Sequence, residues 1–130
     1  MHVKKFLYNF NELQDTIESI IYGVEQETQL DEEQQYRIRL VMSELVMNIF
    51  KYSDADTVSI NAGYANHQLK IEFRDNGKGF ESTPVMQRDV RSSDLLMCKS
   101  GRGIFLVRSI ADSLQYTKHG NGVVVTLRLG

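Results

Sequence analysis

Within SELVMNIFKYS, Glu44, Asn48 and Lys51 stand four and three residues apart, the spacing that puts side chains on one narrow strip of an α-helix. A carboxylate, an amide and an ammonium on one strip can act as a base, an oxygen ligand for a hard cation and a counter-charge for phosphate. The same spacing also suits a solvated stripe on which Glu44 pairs with Asn48 or Lys51, worth only about 0.2–0.5 kcal/mol. A second position carries more chemical tension. In HQLKIEFRD, Leu69, Ile71 and Phe73 alternate with Lys70, Glu72 and Arg74, as in a half-buried strand, and Asp75 keeps the parity of the apolar set. A carboxylate entering the interior is costly without a hydrogen-bond donor, so the protein or a ligand must supply one.

Two glycine pairs flank a long segment. Gly77 and Gly79 in RDNGKGF follow the Asp75 strand directly, and Gly101 and Gly103, on either side of Arg102, open the apolar periodic run of SGRGIFLV. Asn-Gly after a strand is a common turn signal. Here, however, residues 80–100 show no clean period where a return strand would be expected, which predicts a functional loop. Gly-x-Gly before a helix suits an ordinary N-cap, and it equally suits a phosphate held by free backbone N–H groups and the helix dipole. The phosphate-binding pattern GxxxxGK[ST] is absent.

The elements that position these groups are legible in outline. Residues 3–8 predict a short strand. Asn11 is the expected cap of a helix whose buried face is Leu13, Ile17, Ile20, Ile21 and Val24, weakened by Gly23 near its end. Asp31 is the expected cap of the strongest helical segment, residues 32–52. There Ile38, Met42, Leu45 and Ile49 form one apolar row, Leu40 and Met47 a second, and Val46 with Phe50 a third, so the helix is buried on most sides. Residues 57–64 and the strand ending at Asp75 form a hairpin turned by Ala65-Asn66-His67. A third helix runs through Ile104, Leu106, Val107, Ile110 and Ala111. Residues 113–118 and 123–129 close the chain as a hairpin around His119-Gly120-Asn121-Gly122. The expected architecture is α+β, a two-layer sandwich in which three helices cover one face of a mostly antiparallel or mixed sheet.

A chain of 130 residues fits one domain spanning 1–130, with neither internal repeat nor low-complexity tract. A formal net charge of −2 argues against nucleic acid and anionic membrane as partners. Residues 40–50 are broken by Ser43, Glu44 and Asn48 and fall short of a membrane span, and MHVKKFLYNF is too aromatic for a signal peptide. The single cysteine, Cys98, fits a reducing compartment, so a cytoplasmic protein is expected. His2, His67 and His119 fall in turns or near the terminus and suggest no metal cluster.

Taken in order, the polar-striped helix, the Asp-x-Gly-x-Gly after a strand, the long loop and the Gly-x-Gly before a helix resemble the ATP-binding domain shared by gyrase B, MutL and the histidine kinases. This is the GHKL or Bergerat fold. SELVMNIFKYS is similar to its N box, RDNGKGF to its first glycine box and SGRGIFLV to its second. The resemblance implies that Asp75 accepts a hydrogen bond from the adenine amino group and that Asn48 coordinates Mg²⁺. It implies further that Glu44 is the general base, that Lys51 stands near phosphates, and that Gly77 and Gly79 let base and lid pack closely. Gly101, Arg102 and Gly103 would embrace the phosphates, with residues 80–100 as the lid; Thr126 corresponds loosely to a late-strand threonine near adenine.

Phe-Glu-Ser-Thr-Pro after the first glycine box, and a domain without a phosphoacceptor helix pair or transducer, resemble the bacterial anti-sigma-factor serine kinases. That resemblance implies phosphorylation of a serine on an anti-anti-sigma (STAS-type) partner, sequestration of a sigma factor, ATP and Mg²⁺ as cofactors, and a homodimer through the N-terminal strand and first helix. Ile49 stands where alanine is usual, and Gly122-Val123 replaces a frequent Gly-Thr. Lys51-Tyr52-Ser53 is closer to a histidine-kinase N box. Two other readings therefore stand beside the serine kinase: a module that binds ATP without transfer, and a stand-alone histidine-kinase-like catalytic domain.

Overall fold

Two caps set where the first helices begin. The Glu12 carboxylate accepts hydrogen bonds from the backbone N–H groups of Tyr8 and Asn9, at 2.6 and 3.0 Å, so the chain turns at Asn9 through a short 3₁₀ segment, Phe10–Glu12, into helix α1, Leu13–Glu25. The expected cap, Asn11, lies inside that 3₁₀ turn. Glu12 decides the difference, because it stands three residues after Asn9 and can reach back to it. Asp31 is the expected cap of α2, Glu32–Tyr52: its Oδ1 accepts from the Gln34 N–H at 2.8 Å, while Gln34 Oε1 accepts from the Asp31 N–H at 3.1 Å.

The computed structural model describes residues 1–52, 56–76, 106–117 and 122–130. Around the helices run strands β1, His2–Leu7; β2, Val58–Ala65; β3, Gln68–Asp75; β4, Ser113–Tyr116; and β5, Gly122–Arg128. Residues 106–110 are helical. The strands form one sheet in the order β1-β2-β3-β5-β4, and all four pairings among the described residues are antiparallel. The β2–β3 turn is closed by Asn66 and His67 with φ of 53° and 64°; left-handed conformations at both positions match the twist of a two-residue hairpin. Gly122, expected in the last turn, is instead the first residue of β5. A Cβ there would lie 2.7 Å from Thr117 Cγ2 and 3.3 Å from the Phe73 carbonyl oxygen, so the close approach of Thr117 and β3 requires glycine.

One apolar core lies between sheet and helices. The inward sides of β2, β3 and β5 supply Ile60, Ile71, Phe73 and Val125, and α1 supplies its whole expected face from Leu13 to Val24. On α2, Ile38, Val41, Met42, Leu45, Val46 and Ile49 are buried, whereas Leu40, Met47 and Phe50 are half-buried. Burying one such side chain fully contributes about 1.5–3 kcal/mol. Gly23, weak by propensity, sits where the Met1 side chain crosses α1, since a Cβ there would lie 2.5 Å from Met1 Cγ.

Arg37 ties the first half of α2 to the far edge of the sheet. Its guanidinium donates to the Ile110 carbonyl at 2.8 Å and the Arg128 carbonyl at 3.2 Å, and lies 3.6 Å from Asp112. It thereby caps the end of the 106–110 helical segment. Arg37→Ala is expected to lower unfolding free energy by about 2 kcal/mol, the range for charge-assisted hydrogen bonds, as read by urea denaturation.

Candidate functional site

The polar strip of α2 lies in the half of the helix that also carries the buried Met42, Leu45, Val46 and Ile49. Glu44 and Asn48 are half-buried and Lys51, in the last turn, is exposed. The internal pairing of a solvated stripe does not occur among the described residues. Asn48 Oδ1 is buried with no hydrogen-bond partner. Glu44 takes part in none of the ion pairs among the described residues, which join Met1 to Glu27, Arg37 to Asp112, Arg39 to Glu18 and Arg74 to Glu72. An orphaned amide oxygen in this setting costs about 1–3 kcal/mol, so folding stability does not account for it.

Asp75 ends β3 on the inward parity, in register with Val58 of β2, and is 8% exposed. Its face of the sheet is the one on which α2 packs. Asp75 and Lys51 each take part in an interaction within the protein. The acid thus stands at the end of a central strand and turns toward the layer to which α2, with its polar strip, belongs.

Thr126 does not join them. In β5 the buried residues are Gly122, Val123, Val125 and Leu127, while Thr126 lies opposite Lys70 and Ser113 on the face away from the helices. Strand alternation thus places it on the face of the sheet opposite to Asp75. Gly77, Gly79, Gly101, Arg102, Gly103 and the expected lid fall outside the described residues.

One residue without a role in the sequence reading proves to be structurally tied to the site. Asn76, immediately after Asp75, accepts hydrogen bonds through Oδ1 from the backbone N–H groups of Asp56 at 2.8 Å and Thr57 at 3.0 Å. Its own N–H donates to the Thr57 carbonyl at 3.3 Å. The signal that could have found it is the DNG motif, because an asparagine in a turn can hydrogen-bond nearby backbone. Elsewhere, Tyr116 of β4 packs against the core, and burial raises its phenol above the ordinary value. Among the described residues no group of His, Cys, Asp and Glu gathers as a metal cluster, and no helix is long and apolar enough to cross a membrane.

Residues 11–129 match the histidine kinase-like ATPase domain. The sensor histidine kinase LiaS of Bacillus subtilis (strain 168) is 38% identical over 45 residues, which are 35% of this chain and 12% of LiaS. The match thus spans a small part of that relative. The histidine kinase AdeS of Acinetobacter baumannii superposes with a TM-score of 0.50 at 15% identity, over 98% of this chain and 67% of the AdeS chain, a likeness of fold.

Proposed function

The chain belongs to the histidine kinase-like ATPase (GHKL) family, and from that premise we propose that it binds ATP between α2 and β3 and passes the γ-phosphoryl group to a serine of a separate regulatory protein. The observation that carries the reading is the orphaned, buried Oδ1 of Asn48 on the strip shared with Glu44. An amide oxygen without a protein partner suits Mg²⁺, a hard cation that takes oxygen ligands and keeps the rest of its shell for phosphates and water. When bound, Mg²⁺ neutralises charge on the phosphates.

The chain's own residues would do the rest. Asp75 accepts the adenine amino hydrogen, and Lys51 supplies positive charge near the phosphates. Gly77, Gly79, Gly101, Arg102 and Gly103 complete the proposal as the loops that admit the base and hold the phosphates. As the serine Oγ bonds to the γ-phosphorus, the bond to the β–γ bridging oxygen breaks and ADP leaves; the hydroxyl proton passes to Glu44. Orientation and charge complementarity supply most of such catalysis, because a loose transition state asks little of the base.

The acceptor class, an anti-anti-sigma (STAS-type) protein in the cytoplasm with a sigma factor as the sequestered regulator, is supported by the run Phe80-Glu81-Ser82-Thr83-Pro84 that completes and follows the first glycine box, and by the Gly-Arg-Gly of the second. A second reading is favoured by a specific observation: LiaS, which shares 38% identity over 45 residues, is a sensor histidine kinase, and the acceptor would then be a histidine supplied in trans. Incubation with γ-labelled ATP and each partner class separates the two, since phosphoserine survives acid and phosphohistidine does not.

The reading as a whole is tested by Asn48→Leu. Leucine removes an unsatisfied buried acceptor while keeping the branched shape of the side chain, and has better helix propensity, so unfolding free energy is expected to stay level or rise by about 1 kcal/mol. Mg-dependent ATP binding is expected to fall at least about tenfold, as for a lost metal ligand. Unchanged Mg·ATP affinity by calorimetry would remove Asn48 from the site.

A further inference from the structure

We infer that Asn76 is a positioning residue: its side chain clasps Asp56 and Thr57 and thereby fixes where Asp75 meets the base. This rests on the proposed contact between Asp75 and adenine.

The geometry is specific. Asp75 is the last residue of β3 and pairs with Val58, the first residue of β2. Beyond that pair the strands would be free to splay, because strand ends fray where ladder bonds stop. Asn76 prevents it with three hydrogen bonds: Oδ1 accepts from Asp56 N–H and Thr57 N–H at 2.8 and 3.0 Å, and the Asn76 N–H donates to the Thr57 carbonyl at 3.3 Å. Asp56 follows the last residue of α2, Tyr52, by only four positions. The clasp therefore holds the segment that leads into β2 against the end of the strand carrying Asp75. Asn76 itself is exposed and contributes nothing to the core, so what its side chain holds is local geometry.

The chemistry of the base gives a readout that a purely structural role would not move. A carboxylate accepts from the 6-amino group of adenine, whereas the 6-oxo group of guanine presents another acceptor to it. Discrimination between ATP and GTP thus depends on where the Asp75 oxygens stand, while contacts to the shared triphosphate do not. Asn76→Ala is expected to weaken ATP binding about tenfold, the scale of one or two lost hydrogen bonds, and to leave GTP binding within about twofold, so the ATP/GTP affinity ratio collapses. Asn76→Asp retains an acceptor for both N–H groups and is expected to hold the ratio within about twofold of wild type.

Calorimetric titration of the full chain with Mg·ATP and Mg·GTP, with thermal unfolding alongside, tests this. A folded Asn76→Ala protein in which both affinities fall in proportion, or in which neither falls, overturns the positioning role. So does a folded Asn76→Asp protein that has lost the ratio, which keeps the test decisive even if the alanine variant cannot be purified. A wild-type protein that binds neither nucleotide overturns the ATP reading itself, and wild-type preference for ATP retained in Asn76→Ala overturns only the inference about Asn76.

Discussion

Alanine at Glu44 is expected to leave ATP affinity within about twofold of wild type and to lower phosphoryl transfer by about 10²–10⁴-fold, the range for loss of a general base. The structure makes this a clean substitution. Glu44 is half-buried on α2, it contributes to none of the ion pairs among the described residues, and its neighbour Leu45 carries the core contact at that turn. Alanine is the better helix former, so the helix that presents Asn48 persists. Glu44→Gln should give nearly the same loss, because the amide can still meet the hydroxyl by hydrogen bond and cannot take its proton. Single-turnover transfer from labelled ATP to the acceptor, beside calorimetric binding, separates the two quantities. Transfer at the wild-type rate in both variants would take the proton-accepting role away from this position.

Asp75→Asn acts on the other half of the reaction. The change is isosteric, and the register of β3 on β2 is carried by backbone bonds, so the strand end stays in place. What disappears is the charged acceptor that the adenine amino group would meet. A hydrogen bond to a charged group contributes about 1.5–3 kcal/mol, so ATP affinity should drop by roughly ten- to a hundredfold or more. GTP, whose 6-oxo group never finds a donor at this carboxylate, should lose far less. Equal ATP binding by wild type and Asp75→Asn would count against the adenine contact. A loss shared equally by ATP and GTP would point to a disturbance of the whole site in place of a lost contact to the base.

The two substitutions together divide binding from transfer, and Asn48→Leu probes the metal between them. A serine kinase requires all three groups. A module that only holds ATP would lose binding with Asp75→Asn yet show no transfer for Glu44→Ala to remove.

Much of this is legible in the sequence. A period of 3.6 puts Glu44, Asn48 and Lys51 on one strip of α2, and a period of 2 turns Asp75 inward, because both patterns depend on residues within a few positions of each other. The Asp31 cap is legible for the same reason: its partner, Gln34, is three residues away. The cap of the 3₁₀ turn that leads into α1 is Asn9, two positions from the expected Asn11. Asn9 and Asn11 are equivalent by residue type, and the reach of the Glu12 carboxylate back to the N–H groups of Tyr8 and Asn9 selects between them.

Groups whose partners lie far along the chain are not legible. Thr126 stands on the face opposite to Asp75 because facing is set by the register of β5 on β3, and a shift of one residue reverses every side chain. Asn76 reads as a turn residue until Asp56 and Thr57, twenty and nineteen positions earlier, come back beside it. Arg37 reads as one more surface charge, although its carbonyl partners are 73 and 91 residues downstream. The sequence by itself determined which residues could do chemistry and on which side of their own helix or strand they stand, since local periodicity is a property of a single element. Only tertiary structure decided which strand residues share a face of the sheet and which distant groups they meet, because that depends on strand register and on backbone groups supplied from distant segments, neither of which leaves a pattern in neighbouring residues.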